Sequence, residues 1–339
     1  MQKLSSTPWS IQVELTRGCN RVCMFCGVSG LQGGKPGGPY DFMTVDTAKV
    51  LAQKFAEGGC GNRRFEFAMR GEPTMNPNYL EILSVFRERL PKAQIMLTTN
   101  GVRMRKGKME KTLSLIFDSG VDFVMLDTYY PERDELWEAV FSLPEHSFYV
   151  YDFYKDEQCP NPYHNHHRKV QRTVIVADDL GTMVGGKAQK NALGNHCGNA
   201  LDQPRLERVL EKRCTKPFRE MVVHYNGNVN LCCEDFAAEF NLGNLAHTDS
   251  TVAEVWHSQI LNDVRTLLYW KERKFVPCAR CNYSGGMRQG LLPAMPKPTP
   301  KVRQRVEAQM RWSAKHTKQT QAELMLPSVH WNKRERGDK

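Results

Sequence analysis

Three cysteines, Cys19, Cys23 and Cys26, fall in one stretch, Thr16-Arg-Gly-Cys-Asn-Arg-Val-Cys-Met-Phe-Cys26, with the spacing C-x3-C-x2-C. Three thiolates on one short loop can hold three irons of a 4Fe–4S cube and leave the fourth iron open to chelate a substrate. A closed zinc site wants four ligands, and no fourth Cys or His lies in this loop. A second set, Cys214, Cys232, Cys278 and Cys281, is spaced C-x17-C-x45-C-x2-C, with Gly227 between the first two. A hairpin carrying two thiolates and a helix leading into Cys278-Ala-Arg-Cys281 can close round one cube and ligate every iron. Four cysteines at these spacings also suit zinc; the N-terminal trio is what favours iron and sulfide. Cys233, next to Cys232, could exchange roles with it.

Loops of this kind need a rigid frame. The first half alternates short apolar runs with amphipathic stretches, the pattern of strand–helix units around a parallel sheet. Strands are predicted over Ile11–Leu15, Arg64–Met69, Gln94–Thr98, Phe123–Leu126, Phe148–Phe153 and Thr173–Val176. Thr44 can cap a helix running to about Glu57, Asn78 can start another through Leu90, and Met109–Asp118 reads as a third. Six such units suit an incomplete barrel, in which chemistry sits at the C-terminal ends of the strands. The trio follows the first strand directly, as that rule demands. From Asp178 to Asn199 the texture is that of a loop. Met221–Tyr225, Asn226-Gly227 and Asn228–Cys232 read as a hairpin with a type I′ turn, because Asn-Gly tolerates positive φ. Val252–Trp270 reads as one amphipathic helix with Val252, Trp256, Ile260, Val264 and Leu267 on one side.

The loop of the trio resembles the signature of the radical S-adenosylmethionine superfamily, whose aromatic before the third cysteine is matched by Phe25. The resemblance implies that the amino and carboxylate groups of S-adenosylmethionine chelate the open iron. It implies further that an electron from the cluster cleaves the sulfonium to methionine and a 5′-deoxyadenosyl radical, which removes a substrate hydrogen. An electron donor such as flavodoxin or ferredoxin goes with that chemistry. Arg70-Gly71-Glu72-Pro73 resembles the family's Gly-Gly-Glu-Pro segment, which holds the methionine ammonium, with Arg70 in place of the first Gly. Asn100, in Thr99-Asn100-Gly101, and Asp127 end the third and fourth strands, where the family contacts ribose or substrate. Asp127 equally suits a helix N-cap.

The second cysteine set resembles the Twitch form of the SPASM auxiliary-cluster domain. Cys214-Thr-Lys-Pro-Phe218, Gly227-Asn-Val-Asn-Leu-Cys-Cys-Glu-Asp235, Leu242-Gly-Asn244 and Glu254-Val-Trp256 agree with it. No cysteine follows Cys281, so one auxiliary 4Fe–4S cluster is expected. Cys197, in Asn195-His-Cys-Gly-Asn199, lies where related enzymes carry Asn-Arg-Ala-Gly. A hydrogen donor, a radical relay and a plain loop thiol are all open there. The expected fold is α/β: a partial (β/α)6 TIM-type barrel over residues 1–200, a small α+β Twitch/SPASM-like domain over 201–292, and a basic tail over 293–339 entered through Pro293–Pro300.

The net charge of +10 suggests a nucleic-acid footprint, but it is uneven. Residues 297–339 carry eleven Lys or Arg against four acids, which accounts for seven of the ten net charges. That tail, with Trp312 and Trp331 for stacking, suits phosphates, although charge runs are more often solvated faces. Eleven cysteines, most of them in tight groups, are no disulfide framework, and in a reducing compartment such groups usually bind metal. Met1–Ser10 has no apolar leader, and no run of about 18 apolar residues occurs, so a cytoplasmic protein away from membranes is expected. Cys159, His164, His166 and His167 share a loop at spacings that fit no ordinary metal site, and Cys60 reads as structural. The substrate stays open among a peptide, a small metabolite and a nucleic-acid base. So does the outcome: oxidation, cross-linking or rearrangement. A non-catalytic iron–sulfur or zinc scaffold is the alternative of another class.

Overall fold

Short apolar strands alternating with amphipathic helices build the frame. The computed structural model describes residues 4–129, 131–144, 147–153, 155–160, 172–177, 194–203, 205–284 and 292–316. Strands β1 (Ser10–Val13) and β2 (Thr16–Cys19) lead into α1 (Gly27–Leu31), β3 (Gly37–Phe42) and α2 (Val45–Glu57). There follow β4 (Arg64–Phe67), α3 (Tyr79–Arg89), β5 (Gln94–Thr99), α4 (Met109–Asp118), β6 (Phe123–Asp127), α5 (Arg133–Phe141), β7 (Tyr149–Asp152) and β8 (Thr173–Ala177). The second part holds β9 (Glu220–Val223), β10 (Asn228–Asn230), β11 (Asn241–Asn244), α6 (Val252–Trp256), α7 (Gln259–Tyr269) and α8 (Pro300–His316).

Thr44 caps α2 by accepting the Thr47 amide at 3.1 Å. The helix then turns Ala48, Leu51, Ala52 and Phe55 onto the sheet. Phe55 meets Phe65 of β4 edge-on at 5.2 Å between ring centroids, and Phe67 meets Phe86 of α3 at 5.0 Å. All four rings are fully buried, so truncating any of them to Ala costs about 3–5 kcal/mol.

Six parallel strands stand in the order β1-β4-β5-β6-β8-β7, so the last two are exchanged relative to a sequential winding. β8 pairs with β6 from Phe123↔Thr173 to Asp127↔Ala177, and β7 takes the outer edge. The burial pattern explains the exchange. β8 is Thr-Val-Ile-Val-Ala, buried at every position, whereas β7 begins with the exposed Tyr149. At the other end β9 runs parallel to β1, from Ser10↔Glu220 to Val13↔Val223, so one sheet of nine strands passes from the barrel into the second part.

Three local expectations are corrected. The β9–β10 connection is a four-residue loop, His224–Gly227, closed by Gly227 N–H to His224 O at 2.8 Å. Gly227 has φ +80° and Asn226 is not left-handed, so the Asn-Gly pair closes a longer turn instead of a type I′ turn. The helix expected over Val252–Trp270 breaks at His257-Ser258, because the Ser258 hydroxyl accepts the Leu261 amide at 3.3 Å and caps a new helix, α7. The start of the expected tail is a docked helix. In α8, Val306 and Ser313 are buried, Arg303 pairs with Glu272 at 2.7 Å and Arg305 with Asp263 at 2.7 Å. Residues 317–339, with Trp331, lie outside the described residues, as do His164, His166 and His167. Cys159 packs beside Phe153 against a small apolar cluster. Among the described residues no helix is long and apolar enough to cross a membrane.

Candidate active site and second thiol chamber

Cys19 ends β2, whose pairing with β3 holds the cysteine loop at both flanks. Gln32, just past α1, clamps the loop: its Oε1 accepts Cys19 N–H at 2.7 Å, and its Nε2 donates to Gly37 O at 3.0 Å. Cys26 N–H donates to Cys23 O at 2.8 Å, which folds the three thiols to one side. The Arg70–Pro73 segment is stitched to the same loop, with Gly18 N–H to Arg70 O at 2.8 Å and Glu72 N–H to Gly18 O at 3.1 Å. Gly71 is required there, since a Cβ would stand 2.4 Å from the carbonyl oxygens of both Thr16 and Gly18.

These contacts enclose a cavity of about 130 Å³ at the C-terminal ends of β4, β5 and β6. Cys19, Cys23 and Cys26 line it together with Phe25, Gly71, Glu72, Asn100 and Asp127. Of the residues expected to bind S-adenosylmethionine only Pro73 stays off the wall; it opens the short helical turn behind Glu72. The Glu72 carboxylate accepts from Thr74 Oγ1 at 2.7 Å, Thr99 Oγ1 at 2.7 Å and Asn100 N–H at 2.8 Å. It thereby ties the ends of β4 and β5 together. Arg70, in place of the family's glycine, turns away from the cavity. It forms a buried bidentate pair with Glu14 at 2.7 and 2.8 Å and donates to Phe236 O at 3.2 Å, joining the barrel to the second part. Burial would raise the Glu14 carboxyl, but the charge and hydrogen bonds of Arg70 bring it below its ordinary value.

Sequence reasoning missed Arg21, Met69, Thr98 and Tyr129, all on the cavity wall. Tyr129 follows Asp127 by two residues, a spacing that the alternation of a strand end carries to one side. Its ring lies 5.7 Å from that of Phe25, and the Arg21 guanidinium stands over it at 5.4 Å while pairing with Glu132. Met69 has φ +106°, rare for a side chain with a Cβ, and this bends the chain into the Arg70-Gly71 turn. Asp127 caps no helix: it ends β6, and α5 starts only at Arg133. Burial first, opposed by the Tyr129 hydrogen bond, and then the charge of Glu72 push its carboxyl up to about 7.

The second chamber gathers Cys214, Cys232, Cys278 and Cys281 from three separate stretches, with Lys216, Glu234 and Arg273 among its walls. Arg273 staples it, donating to Lys212 O at 2.8 Å, Arg213 O at 2.9 Å and Tyr283 O at 2.8 Å. Cys232 faces the chamber and Cys233 does not: the Cys233 sulfur is taken by Lys216 Nζ at 2.8 Å. Cys197 is a fifth thiol on the wall. Among the described residues no three His, Cys, Asp or Glu side chains are grouped to hold a single metal ion; both thiol sets ring cavities instead. Burial pushes Cys19 and Cys26 up to about 12, and Cys214 up to about 11. Thiols buried in this way ionise readily only beside a cationic centre, and an iron–sulfur cluster supplies one.

Residues 13–143 match the model of the Radical SAM superfamily, and residues 214–282 match that of SPASM, an iron–sulfur cluster-binding domain. The chain is a radical S-adenosylmethionine enzyme with a SPASM domain, and its cofactors are a 4Fe–4S cluster, S-adenosylmethionine and auxiliary iron–sulfur. The S-adenosyl-L-methionine-dependent 2-deoxy-scyllo-inosamine dehydrogenase of Niallia circulans is 24% identical over 284 residues, which is 83% of this chain and 94% of that protein. GTP 3′,8-cyclase of Photorhabdus laumondii is 32% identical over 96 residues, and the match spans only 28% of its length. Among solved structures, BtrN in complex with AdoMet and 2-DOIA superposes with a TM-score of 0.62 at 21% identity, covering 85% of this chain and 97% of that one.

Proposed function

We propose that this chain is a small-molecule dehydrogenase, which takes one hydrogen atom from a carbon bearing a hydroxyl group and passes the remaining electron to the second cluster. The observation that carries this reading is the direct packing of the two thiol-lined sites on each other. Helix α1, which follows Cys26, lies on the His196–Gly198 turn, whose Cys197 lines the second chamber. Gly30 N–H donates to Asn199 O at 3.0 Å, and a Cβ on Gly27 would stand 2.5 Å from the Phe236 ring.

In this reading Cys19, Cys23 and Cys26 hold the radical-generating cluster. Phe25, Gly71, Glu72, Pro73, Asn100 and Asp127 position S-adenosylmethionine, and Cys214, Cys232, Cys278 and Cys281 hold one auxiliary 4Fe–4S cluster. Bound there, these groups supply a 5′-deoxyadenosyl radical to remove hydrogen and an acceptor for the second electron. The remaining tasks fall to the chain. Glu72, fixed by its hydroxyl and amide donors, sets the geometry at the ends of β4 and β5. Phe25, Met69 and Tyr129 wall the cavity against water. Asp127, with a carboxyl near 7, accepts the proton that a hydroxyl gives up as it becomes a carbonyl. The balance is then one hydrogen atom, one proton and one electron removed from the substrate.

The dehydrogenase relative, matched over 94% of its length, supports a polyhydroxylated metabolite over a peptide. A flavodoxin- or ferredoxin-type donor would supply the initiating electron. The test is anaerobic incubation of the reconstituted chain with S-adenosylmethionine, dithionite and 2-deoxy-scyllo-inosamine or related aminocyclitols. One 5′-deoxyadenosine formed per carbonyl product is expected. Deoxyadenosine formation that no such compound accelerates, with no carbonyl product, contradicts the proposal.

A further inference from the structure

The loop between β5 and α4 presents a run of cations to solvent. Met104 and Met109 are buried and pin the loop to the core. Beside and between them Arg103, Lys106 and Lys108 are exposed, and Arg105 is half-buried. Lys106 takes a left-handed φ of +60°, held by its N–H donating to Glu135 Oε1 at 3.0 Å, and this turns the chain sharply ahead of α4. The turn leaves a groove of about 460 Å³ lined by all four cations together with Thr74 and Tyr79, and by no acidic side chain. Glu132 and Glu135 answer Arg105, at 3.5 and 2.6 Å. Among the described residues Arg103, Lys106 and Lys108 form no ion pair, and Arg103 donates to a neutral carbonyl, Thr74 O, at 3.0 Å. Three positive charges therefore face the solvent together.

This groove and the cavity of the cysteine trio share a wall. Asn100 lines the cavity and Val102 the groove, two residues apart and so within about 7 Å along the chain. Asn100 Oδ1 accepts Val102 N–H at 3.1 Å, and its Nδ2 lies 3.5 Å from Cys19 Sγ. Glu72 on the cavity side accepts from Thr74 on the groove side. Arg105 reaches the cavity as well, through Glu132 to Arg21. We propose that the groove is the docking surface of an acidic one-electron carrier protein, which passes its electron across Asn100 to the cluster on Cys19, Cys23 and Cys26. The reduced carrier loses one electron, the cluster gains one, and no bond changes. Exposed cations spread over a six-residue loop steer and hold a broad anionic surface. A small phosphate compound would instead call for buried donors, and none of the three free cations is buried. A carrier seated here leaves the cavity itself open to cofactor and substrate. The inference rests on the trio holding the initiating cluster, as read above.

The experiment follows 5′-deoxyadenosine formation by the reconstituted full-length chain with two reductants: flavodoxin kept reduced by its reductase, and dithionite, which needs no docking surface. The test variant carries Arg103→Glu, Lys106→Glu and Lys108→Glu. A control carries Lys301→Glu, Arg311→Glu and Lys315→Glu, three exposed positions of α8 that change the net charge equally. The test variant is expected to lose tenfold or more in flavodoxin-driven kcat/KM while its dithionite rate stays within twofold of wild type. The control should keep both rates, and the wild-type flavodoxin rate should fall as salt rises. A flavodoxin-driven rate that the groove reversals leave unchanged overturns the proposal. So does an equal loss with both reductants, which would make the loop part of the cofactor site. Inorganic pyrophosphate that binds wild type but not the test variant, without slowing flavodoxin-driven turnover, also overturns it and makes the groove a small-anion site. Wild type that forms no deoxyadenosine with either reductant refutes the reading of the trio, and this inference with it.

Discussion

Asn100 meets Glu72 through its main chain and the cysteine loop through its side chain. Its N–H donates to Glu72 Oε2 at 2.8 Å, while Nδ2 donates to Asn20 Oδ1 at 2.9 Å and lies 3.5 Å from Cys19 Sγ. Glu72 is thus the joint between the Arg70–Pro73 segment, the end of β5 and the trio. All the groups on its carboxylate are donors, so Glu72→Gln must turn its NH₂ toward one of them. The variant is expected to lose tenfold or more in the rate of 5′-deoxyadenosine formation, about 1.4 kcal/mol. A rate within twofold of wild type would show that the joint does not position the cofactor.

The Arg70–Glu14 pair makes a separate prediction about stability. Both side chains are buried, 3% and 0% exposed. Arg70→Met leaves an uncompensated carboxylate and should cost about 3–5 kcal/mol, whereas Arg70→Met with Glu14→Leu should recover most of that loss. Urea unfolding of the single and double variants checks it. A double variant no more stable than the single one would show that lost packing, and not the stranded charge, is what matters.

Cys232 and Cys233 should separate cleanly by metal content. Cys232 faces the second chamber, and Cys233 is held by Lys216 and lies 3.8 Å from Glu220 Oε2. After reconstitution, Cys232→Ala is expected to lose about four of about eight irons, and Cys233→Ala to keep them. The reverse pattern would exchange the two assignments.

His224 gives the acid side of the stability profile. Burial first, then the charge of Arg70, opposed by Glu14, bring its imidazole down to about 3 from an ordinary 6.5. A depressed folded-state value means that the unfolded chain protonates first. The stability this group confers is therefore complete above about 6.5 and is lost as pH falls toward 3, by up to ~1.4 kcal/mol per pH unit. Between pH 6.5 and pH 5 wild type should lose about 2 kcal/mol through this group, a loss absent from His224→Gln. Parallel pH dependences in the two proteins would contradict the assignment.

The chemistry was more legible in the sequence than the topology. Ligand spacings such as Cys19/Cys23/Cys26 are fixed by local chain geometry, and the trio shares one wall with the expected cofactor-binding residues apart from Pro73, whereas Cys197 lies on the wall of the second chamber. The exchanged order of β7 and β8 depends on which strand is apolar on both faces, a comparison between segments that the period of either alone does not reveal. The break before α7 was hidden because Val252, Trp256, Ile260 and Val264 keep helical spacing across Ser258, and only the capping hydroxyl ends the first helix. Tail charge misled for a related reason. Arg303 and Arg305 read as a basic run, but their partners Glu272 and Asp263 lie about 30 to 40 residues upstream, out of reach of any local pattern. Tyr129 and Arg21 carried no motif at all, and emerged only once β6 and the cysteine loop were brought together.

The central claim is that the N-terminal trio starts the radical chemistry and the second set holds a separate cluster. Iron, sulfide and dithionite-dependent 5′-deoxyadenosine should be measured after anaerobic reconstitution, in wild type and in a variant with Cys19, Cys23 and Cys26 changed to Ala. About eight irons falling to about four, with deoxyadenosine abolished, is the expected result. About four irons in both proteins, with no deoxyadenosine from either, would contradict the account and leave an iron–sulfur scaffold in its place.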